Sequence, residues 1–477
     1  SASEKTFDKD TNQCLYKGYF ADLNVEGEYY IKTEFGFYSK VFSISNSYSE
    51  LINSALDAIY VQRCGCDTEG ILGHPACHTA PSMIFSYTKE DYVDTTGGWH
   101  DAGDYGKYGI VENKVIADLL FSYLYSDNKN EKLVDEIKYG LDYVLKLQTD
   151  YGAVYNKVVS KRFAGFISPE KDNQKTYLLT PWTSVTASFA GITGLAYEVF
   201  KDSDGELAER CLNAHNKAIE YLINNPNPSN EMNPDEFDVG TYYVNDETDE
   251  RLFAYSVAYK LTKDDKYKDL CIELLNSGVD KGDFVANCRT YAYAVLLDSL
   301  EYNSKFYNDI KTELEVECNE LCKGVSDNMF NYPYENYYWG SNQHVCEAIN
   351  KLLLASRYFK DERYVVKASE MINYILGLNV LDMSFIWGYG YKYPQTIHPR
   401  LAYAKGQNMI KGAMCNGVDQ LLSDGEIGKY FDDNSPIGTR FVDNSDSYSN
   451  VEPAINYNSA LYLSLSLLEY ANRKPIQ

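Results

Sequence analysis

The segment VTASFAGITGLAYEV (residues 185–199) repeats its apolar side chains with the period of an α-helix. Val185, Phe189, Ile192, Leu195 and Val199 fall on one face when the segment is wound at about 3.6 residues per turn. A half-buried strand would instead alternate apolar and polar side chains with a period of two. The segment therefore predicts an α-helix with an apolar stripe along one face.

The same spacing recurs along the chain from residue 48 onward. The clearest further stripes are Ile52/Ala55/Leu56/Ile59, Leu133/Ile137/Leu141/Val144 and Phe253/Val257/Leu261, and other helical stretches lie near 291–302, 344–358, 363–376 and 457–472. Long polar loops such as 224–240 separate them, with almost no strand pattern between. Paired helices joined by long loops predict an all-α domain, either a helical barrel or a solenoid, with its function on the loops.

The N-terminal residues follow a different pattern. GEYYIKTEFGF (27–37) alternates its side chains between two faces, which is typical of a strand, and VFSI (41–44) is a candidate partner strand. We therefore expect a short β segment over residues 1–46, followed by one helical domain over residues 47–477.

Composition excludes some classes of partner. The net charge is −25 and the isoelectric point is near 4.7, so the chain repels nucleic acid and anionic membrane surfaces. No apolar run approaches the ~18 residues that a membrane-spanning helix needs. The 45 tyrosines suit the faces of sugar rings as well as ordinary protein cores.

The segment GGWHDAGDYGKYG (97–109) sets two aspartates three positions apart among glycines. On a turn, residues with this spacing face the same way, so Asp101 and Asp104 are a candidate pair for positioning a water and accepting its proton. A solvated acidic turn or a cation site is the alternative.

Two later stretches also carry candidate chemistry. Glu452 precedes Pro453, which favours a position at or near a helix N-terminus; there the carboxylate either compensates the helix dipole or acts as a general acid. His398 and Arg400 flank Pro399 in an aromatic-rich loop, and both are suited to binding sugar hydroxyls.

Cys64, Cys77, His78 and His100 together offer two thiolates and two imidazoles, which is a complete tetrahedral set for structural zinc. The spacing is not that of a common zinc finger. A Cys64–Cys77 disulfide is the main alternative, and Cys66 supplies a competing thiol. The chain has eleven cysteines, and Cys318 and Cys322 are placed to share a helix face.

Taken together, these blocks resemble glycoside hydrolase family 9, the inverting cellulases. The resemblance extends from about residue 27 to 472. Its anchors, in chain order, are YVQRCG (60–65), PACH (75–78), GGWHDAGDYGKY (97–108), YWGSN (338–342), Gly390-x-Lys392 with His398-x-Arg400, and YSNVEPAINYNSA (448–460).

The resemblance implies an (α/α)6 barrel, preceded by β strands like the end of an immunoglobulin-like module. It implies Asp104 as general base, Asp101 as holder of the nucleophilic water and Glu452 as general acid. It also implies sugar contacts from the residues His398, Arg400, Tyr457 and Trp339, although core packing is an equal alternative for Tyr457 and Trp339.

The resemblance implies metals as well. Many members carry a structural zinc at positions matching Cys64, Cys77, His78 and His100, and His100 would brace the adjacent Asp101. Many also bind calcium on a loop; the candidate here is NDETDERL (245–252), with Asp249 and Glu250 best placed.

The chain departs from the family pattern close to the proposed acid. Ser445, Asp446 and Ser447 stand where the family usually has Arg-Asp-Asp, Pro399 replaces a frequent second histidine, and Pro453 replaces a small apolar residue. These changes leave the expected catalytic groups in place but question the hydrogen bonds around Glu452.

We therefore expect a secreted, extracellular endo-β-1,4-glucanase that cleaves cellulose or mixed-linkage β-glucan with inversion. A non-catalytic β-glucan-binding protein on the same scaffold is the alternative, and a uronate lyase is disfavoured by the negative charge. The resemblance is also compatible with a larger modular or cellulosomal protein, although no dockerin or carbohydrate-binding module is evident.

Overall fold

The computed structural model describes residues 5–473 except 19, 21, 22, 24, 46, 87 and 279–287. The chain divides into two compact units. The first unit contains Ser1–Ala58, Glu317–His398 and Met409–Gln477, and the second contains Ile59–Val316 and Pro399–Asn408. The predicted boundary between residues 46 and 47 stays a prediction; part of that N-terminal segment (1–4, 19, 21, 22, 24 and 46) lies outside the described residues.

Helices dominate the described chain. They are α1 Ser49–Tyr60, α2 Gly109–Tyr125, α3 Glu131–Val144, α4 Thr183–Phe200, α5 Gly205–Asn224, α6 Thr248–Thr262, α7 Asp265–Asn276, α8 Cys288–Ser299, α9 Lys305–Asp327, α10 Ser341–Ala355, α11 Glu362–Ile375, α12 Arg400–Ala404, α13 Tyr448–Val451 and α14 Ile455–Arg473. Within the described residues, no helix is both long and apolar enough to cross a bilayer.

Two kinds of long helix alternate along the chain. Helices α2, α4, α6, α8, α10 and α14 are buried on nearly all sides, whereas α1, α3, α5, α9 and α11 bury one side and expose the other. Helix α7, at the corresponding place in the alternation, buries Cys271 and leaves its other residues partly or fully exposed. In the second unit α4 packs on α2, α5 and α6, and in the first unit α10 packs on α11 and α14. This alternation is what paired inner and outer helices produce.

Helix α4 shows why the inner helices pack closely. The hydroxyls of Thr186, Ser188 and Thr193 bond to carbonyls one turn back, as Thr186 Oγ1 does to Trp182 O at 2.7 Å, so these three polar groups are paired within the helix. A Cβ at Gly191 would lie 2.3 Å from the Phe253 ring, and one at Gly194 would lie 2.5 Å from Val257. Glycine at these two positions therefore admits the apolar face of α6.

The strands are short. They are β1 Thr6–Asp8, β2 Gln13–Leu15, β3 Gly27–Tyr29, β4 Phe42–Ile44, β5 Ser82–Ile84, β6 Tyr92–Val93, β7 Lys107–Tyr108, β8 Val154–Tyr155, β9 Lys157–Val159, β10 Tyr177–Leu178 and β11 Pro181–Trp182. In the second unit, β6-β5-β10-β9-β7 form a sheet in which only the β5–β10 pair is parallel. The expectation of almost no strands after the N-terminal segment was wrong, because two or three residues are too few to show an alternating pattern.

The predicted N-terminal strand pair is present but shorter than expected. β3 pairs antiparallel with β4, and Tyr29 lies opposite Phe42. The prediction of one strand over residues 27–37 was wrong: after an isolated bridge at Lys32 the chain turns, and Gly36 has φ +83°. Phe35 is 80% exposed, so the alternation has no buried face to extend the strand.

Candidate active site

Asp101 and Asp104 lie in the second unit on one loop, which closes on itself just before β7. The Asp101 N–H donates to Gly106 O at 3.0 Å, and the Gly106 N–H donates to Asp104 Oδ2 at 3.0 Å. A Cβ at Gly106 would lie 2.7 Å from that same oxygen, so glycine allows the carboxylate to fold over the backbone. The two predicted carboxylates are therefore carried by one closed turn.

Each of these carboxylates accepts a hydrogen bond from a different tyrosine. The Tyr242 hydroxyl donates to Asp101 Oδ2 at 2.6 Å, and the Tyr108 hydroxyl donates to Asp104 Oδ2 at 3.3 Å. The two rings pack edge to face, with centroids 5.1 Å apart. Lys157 anchors the loop that carries Tyr242, since its Nζ donates to Gly240 O at 2.9 Å.

Sequence reasoning missed both tyrosines. Tyr108 lies inside the quoted aspartate motif, four residues after Asp104, so the spacing offered a signal. Tyr242 is separated from Asp101 by 141 positions and sits in a polar loop with no periodic pattern.

We expect Tyr242→Phe to lower kcat on β-glucan about 10- to 100-fold, because a hydrogen bond to a charged group is worth roughly 1.5–3 kcal/mol and each 1.36 kcal/mol is a factor of about ten in rate. KM should change less than about two-fold, since the bond is to Asp101 rather than to substrate. Steady-state kinetics measures both, with Tyr243→Phe as the matched control because Tyr243 is 46% exposed. Equal kinetics for the two variants would contradict a role for the Tyr242 hydroxyl.

The surroundings of Asp104 suit a base. Burial raises the pKa of Asp104 above its ordinary value, against the opposing effects of the Arg400 charge, the Gly106 N–H and the Tyr108 hydroxyl. Burial likewise lowers the pKa of Lys157 to about 8, although the Asp104 charge opposes that shift. A carboxylate with a raised pKa accepts a proton more readily than an ordinary surface aspartate.

Arg400 is bound to the same loop. Its backbone N–H and its Nη1 both donate to Gly103 O, at 3.0 and 2.7 Å, and its Nε donates to Ala164 O at 2.7 Å. The guanidinium also lies over the rings of Phe163 and Phe166, at 5.2 and 5.5 Å. Arg400 therefore holds Gly103, one of the two residues between the aspartates, and a sugar contact from it stays a prediction.

The other predicted residues, Trp339, His398, Glu452 and Tyr457, belong to the first unit. Glu452 is half-buried and lies between α13 and α14, three residues before α14 begins. The backbone on both sides of it is held, because the His398 N–H donates to Val451 O at 3.2 Å and Pro453 forms a β-bridge with Cys415.

Tyr448, which sequence reasoning did not single out, links two of the predicted sugar-binding residues. Its ring centroid lies 5.5 Å from that of Trp339 and 5.7 Å from that of His398. The His398 Nδ1 is 2.7 Å from Ser445 O, a carbonyl that can only accept, so Nδ1 carries the proton. Tyr457 is 5% exposed in the first turn of α14.

Cys64, Cys77, His78 and His100 form a compact cluster in the second unit, with donor atoms within 4.8 Å of one another. The Cys64 and Cys77 Sγ atoms are 3.9 Å apart, too far for a disulfide; Cys64 Sγ is 3.7 Å from His78 Nδ1, and Cys77 Sγ is 3.5 Å from His100 Nε2. A tetrahedron with metal–sulfur bonds of ~2.3 Å and metal–nitrogen bonds of ~2.0–2.1 Å has edges of roughly 3.4–3.8 Å.

The surroundings of this cluster orient one of its histidines and keep another neutral. His78 Nε2 lies 3.4 Å from Asp172 Oδ2, a carboxylate that orients the ring. Burial lowers the pKa of His100 to about 4, which keeps its imidazole neutral. Cys66 Sγ instead contacts the Tyr139 hydroxyl at 3.5 Å.

The backbone next to the cluster is also held from behind. Arg63 directly precedes Cys64, and Trp99 directly precedes His100. The two residues form a β-bridge with each other. The Arg63 Nε and the indole nitrogen of Trp99 both donate to the buried Glu136 of α3. The Trp99 N–H donates to Glu112 Oε1 of α2 at 2.9 Å. The inner helix α2 and the outer helix α3 therefore both fix the start of the aspartate loop.

The predicted calcium residues are adjacent in the first turn of α6. Asp249 is 2% exposed and Glu250 is fully buried. Asp249 Oδ2 accepts the Cys288 N–H at 3.0 Å, and burial raises the pKa of Asp249.

Known proteins resemble this chain along most of its length. A cellodextrinase from Butyrivibrio fibrisolvens is 29% identical over 497 residues, covering 96% of this chain and 90% of that protein. Endoglucanase D from Acetivibrio thermocellus is 28% identical and covers 96% and 76%. The crystal structure of a Zn-binding triple mutant of the family 9 endoglucanase J30 aligns with a TM-score of 0.89 at 26% identity, covering 98% and 93%.

The alternation of buried and amphipathic helices agrees with solved family 9 structures, which are (α/α)6 barrels. The fold class expected from the sequence is therefore confirmed. The sequence profile of glycosyl hydrolase family 9 matches residues 48–465, which include the two aspartates, the cysteine–histidine cluster and Glu452. The chain belongs to glycosyl hydrolase family 9.

Proposed function

We propose that this glycoside hydrolase is an endo-β-1,4-glucanase that cleaves cellulose or mixed-linkage β-glucan with inversion at the anomeric carbon. Family membership and the similarity to Endoglucanase D support this activity. The observation that carries the proposal is the pair of carboxylates on one closed loop, each hydrogen-bonded by a different tyrosine.

The roles follow from the chemistry of inversion. Asp104 takes a proton from a water, and that water attacks the anomeric carbon on the face opposite the leaving oxygen. Asp101, held by Tyr242, accepts the second hydrogen of the same water and so orients it. Glu452 gives its proton to the glycosidic oxygen as the bond breaks. His398, Arg400, Trp339 and Tyr457 are proposed to bind the sugars on either side of this bond.

We also propose that Cys64, Cys77, His78 and His100 hold a structural zinc. Three of the separations between their donor atoms, 3.5, 3.7 and 3.9 Å, are close to the edges of a zinc tetrahedron, and Asp172 supplies the carboxylate that commonly supports a ligating histidine. A zinc ion held by these four residues would supply no reaction chemistry, and through His100 it would hold the backbone one residue before Asp101.

Metal analysis of the purified protein is expected to find about one zinc per chain. Cys77→Ser should lose the zinc and lower the melting temperature, because a ligand and its binding free energy are removed. Cys211→Ser is the control, since Cys211 is a buried cysteine outside the cluster. A zinc-free wild-type protein of full activity and unchanged stability would contradict the assignment.

The same metal analysis tests for a calcium ion, for which we propose Asp249 and Glu250 as the carboxylate ligands.

We further propose that the enzyme is secreted, because insoluble glucan lies outside the cell. The chain covers 76% of Endoglucanase D, so that relative has additional residues beyond the matched region. A modular or cellulosomal setting is therefore proposed for this chain as well.

Proton NMR of a barley β-glucan digest in its first minutes tests the proposal. We expect α-anomeric reducing ends to appear first, as inversion requires. In a parallel viscometry measurement, the viscosity of the β-glucan solution should fall early, as internal cleavage requires. Initial β-anomer would overturn inversion, and slow viscosity loss with rapid cleavage of short cellodextrins would indicate a cellodextrinase. Binding without product would favour the glucan-binding alternative.

A further inference from the structure

Asp424 is a buried carboxylate with four hydrogen-bond donors around it. Its Oδ1 accepts the N–H groups of Glu426 and Ile427, both at 2.8 Å. Its Oδ2 accepts the Ser447 hydroxyl at 3.1 Å and the Ser449 N–H at 2.9 Å. The residue is only 5% exposed, so these donors replace water at both oxygens.

The Oδ2 partners belong to the segment that ends at Glu452, residues 444–452, here named the acid turn. Asp424 holds it at Ser447 and Ser449, the latter three residues before Glu452. Glu426, also next to Asp424, accepts from the Asn444 amide at 2.9 Å. The acid turn is therefore tied to the 424–426 segment at three points.

A second buried side chain completes this support. Asn450 Oδ1 accepts the Val442 N–H at 2.8 Å and the Ser447 hydroxyl at 3.1 Å, and its Nδ2 donates to Gly417 O at 2.8 Å. The single Ser447 hydroxyl proton lies between Asp424 Oδ2 and Asn450 Oδ1, and the two acceptors share it. These bonds fix the turn within the first unit up to Asn450, two residues before Glu452, and none of them is made by the Glu452 carboxyl.

The chemistry of the site requires an ionised aspartate. All four neighbours are donors, and a carboxylate offers acceptor positions on both oxygens, whereas an asparagine amide offers one acceptor oxygen and a nitrogen that would oppose two donors. Although burial opposes ionisation, the bonds from Ser449, Ile427 and Ser447 lower the pKa of Asp424.

We propose that Asp424 is a positioning residue for Glu452, which holds the acid turn so that the Glu452 carboxyl reaches the leaving oxygen. This inference rests on the proposed role of Glu452 as general acid. The chain departs from the family pattern at Ser445, Asp446 and Ser447, close to Glu452. At one of these positions the Ser447 hydroxyl helps to hold the acid turn, because it donates to the carboxylate of Asp424, 23 positions earlier.

The test compares Asp424→Asn with wild type on two substrates. On barley β-glucan, whose leaving oxygen needs a proton, we expect kcat to fall about 10- to 100-fold, because small misplacements of a catalytic group have effects of this size. On dinitrophenyl β-cellobioside, whose phenolate leaves without protonation, kcat should stay within about two-fold of wild type. Ser447→Ala should shift the same ratio in the same direction, by less, and remains informative if Asp424→Asn folds poorly.

Asp433→Asn is the matched control, since Asp433 is an exposed aspartate in the following loop. An equal fall on both substrates would show a purely structural role and overturn the proposal, as would no change on either. Glu452→Gln run in parallel separates the two ideas. If it lacks the leaving-group pattern, the acid assignment fails; if it shows the pattern and Asp424→Asn does not, only the positioning role fails.

Discussion

Replacing Glu452 by glutamine is expected to lower kcat on barley β-glucan by about 10²- to 10⁴-fold, the usual contribution of a general acid. Glutamine has nearly the same shape but no proton to give to the glycosidic oxygen. KM should therefore change little, because ground-state contacts remain. Initial-rate kinetics and binding of an unhydrolysed oligosaccharide measure the two effects separately.

The variant should keep most of its activity on dinitrophenyl β-cellobioside, because that leaving group departs as a stable anion. Glu335→Gln is a fitting control: Glu335 is exposed and lies four residues before Trp339. Wild-type turnover of β-glucan by Glu452→Gln would remove Glu452 from the mechanism. Loss of binding together with turnover would instead assign it to substrate contact.

Replacing Asp104 by asparagine is expected to lower kcat by a similar factor, about 10²- to 10⁴-fold, but on both substrates. The reason for the difference is that water must be deprotonated whichever group leaves. Comparing the two variants on the two substrates therefore assigns base and acid independently. Asp150→Asn, at an exposed aspartate in a turn of the same unit, is the control.

The pH profile of the wild-type enzyme gives a second readout for Asp104. A general base works when it is deprotonated, so activity is lost as pH falls through its pKa. Because burial raises that pKa, the acidic limb of kcat/KM should lie above the ordinary aspartate range. An acidic limb at the value of an exposed aspartate would contradict the assignment of Asp104 as base.

Sequence reasoning was most effective for helices with one apolar face or an unbroken apolar core. The stripes in α1, α3, α4 and α6 predicted helices that the structure contains. It did not identify α5, α7 or α9, nor the inner helix α2, in which Glu112, Lys114 and Asp118 occupy buried positions. There Lys114 pairs with Asp118 at 2.6 Å inside the core, so charges interrupt the apolar pattern that periodicity relies on.

Some residues of the candidate site were predictable from the sequence and others were not. Motif and spacing were sufficient to propose Asp101, Asp104, Glu452, His398, Arg400 and the cysteine–histidine set, because these residues lie in short blocks whose order resembles a known family. Their individual roles stay predictions. Of the two tyrosines that bond to the aspartates, Tyr108 lies inside the aspartate motif, whereas no sequence pattern indicates Tyr242.

By itself, the sequence determined the helical class, the family and the loop that carries two aspartates, since all three depend on local periodicity or on contiguous motifs. Only the tertiary structure decided that Tyr242 bonds to Asp101 and that Asp424 bonds to Ser447 and Ser449. The physical reason is that a hydrogen bond between distant segments requires two backbones to meet within about 3 Å, and that meeting depends on how the whole unit packs.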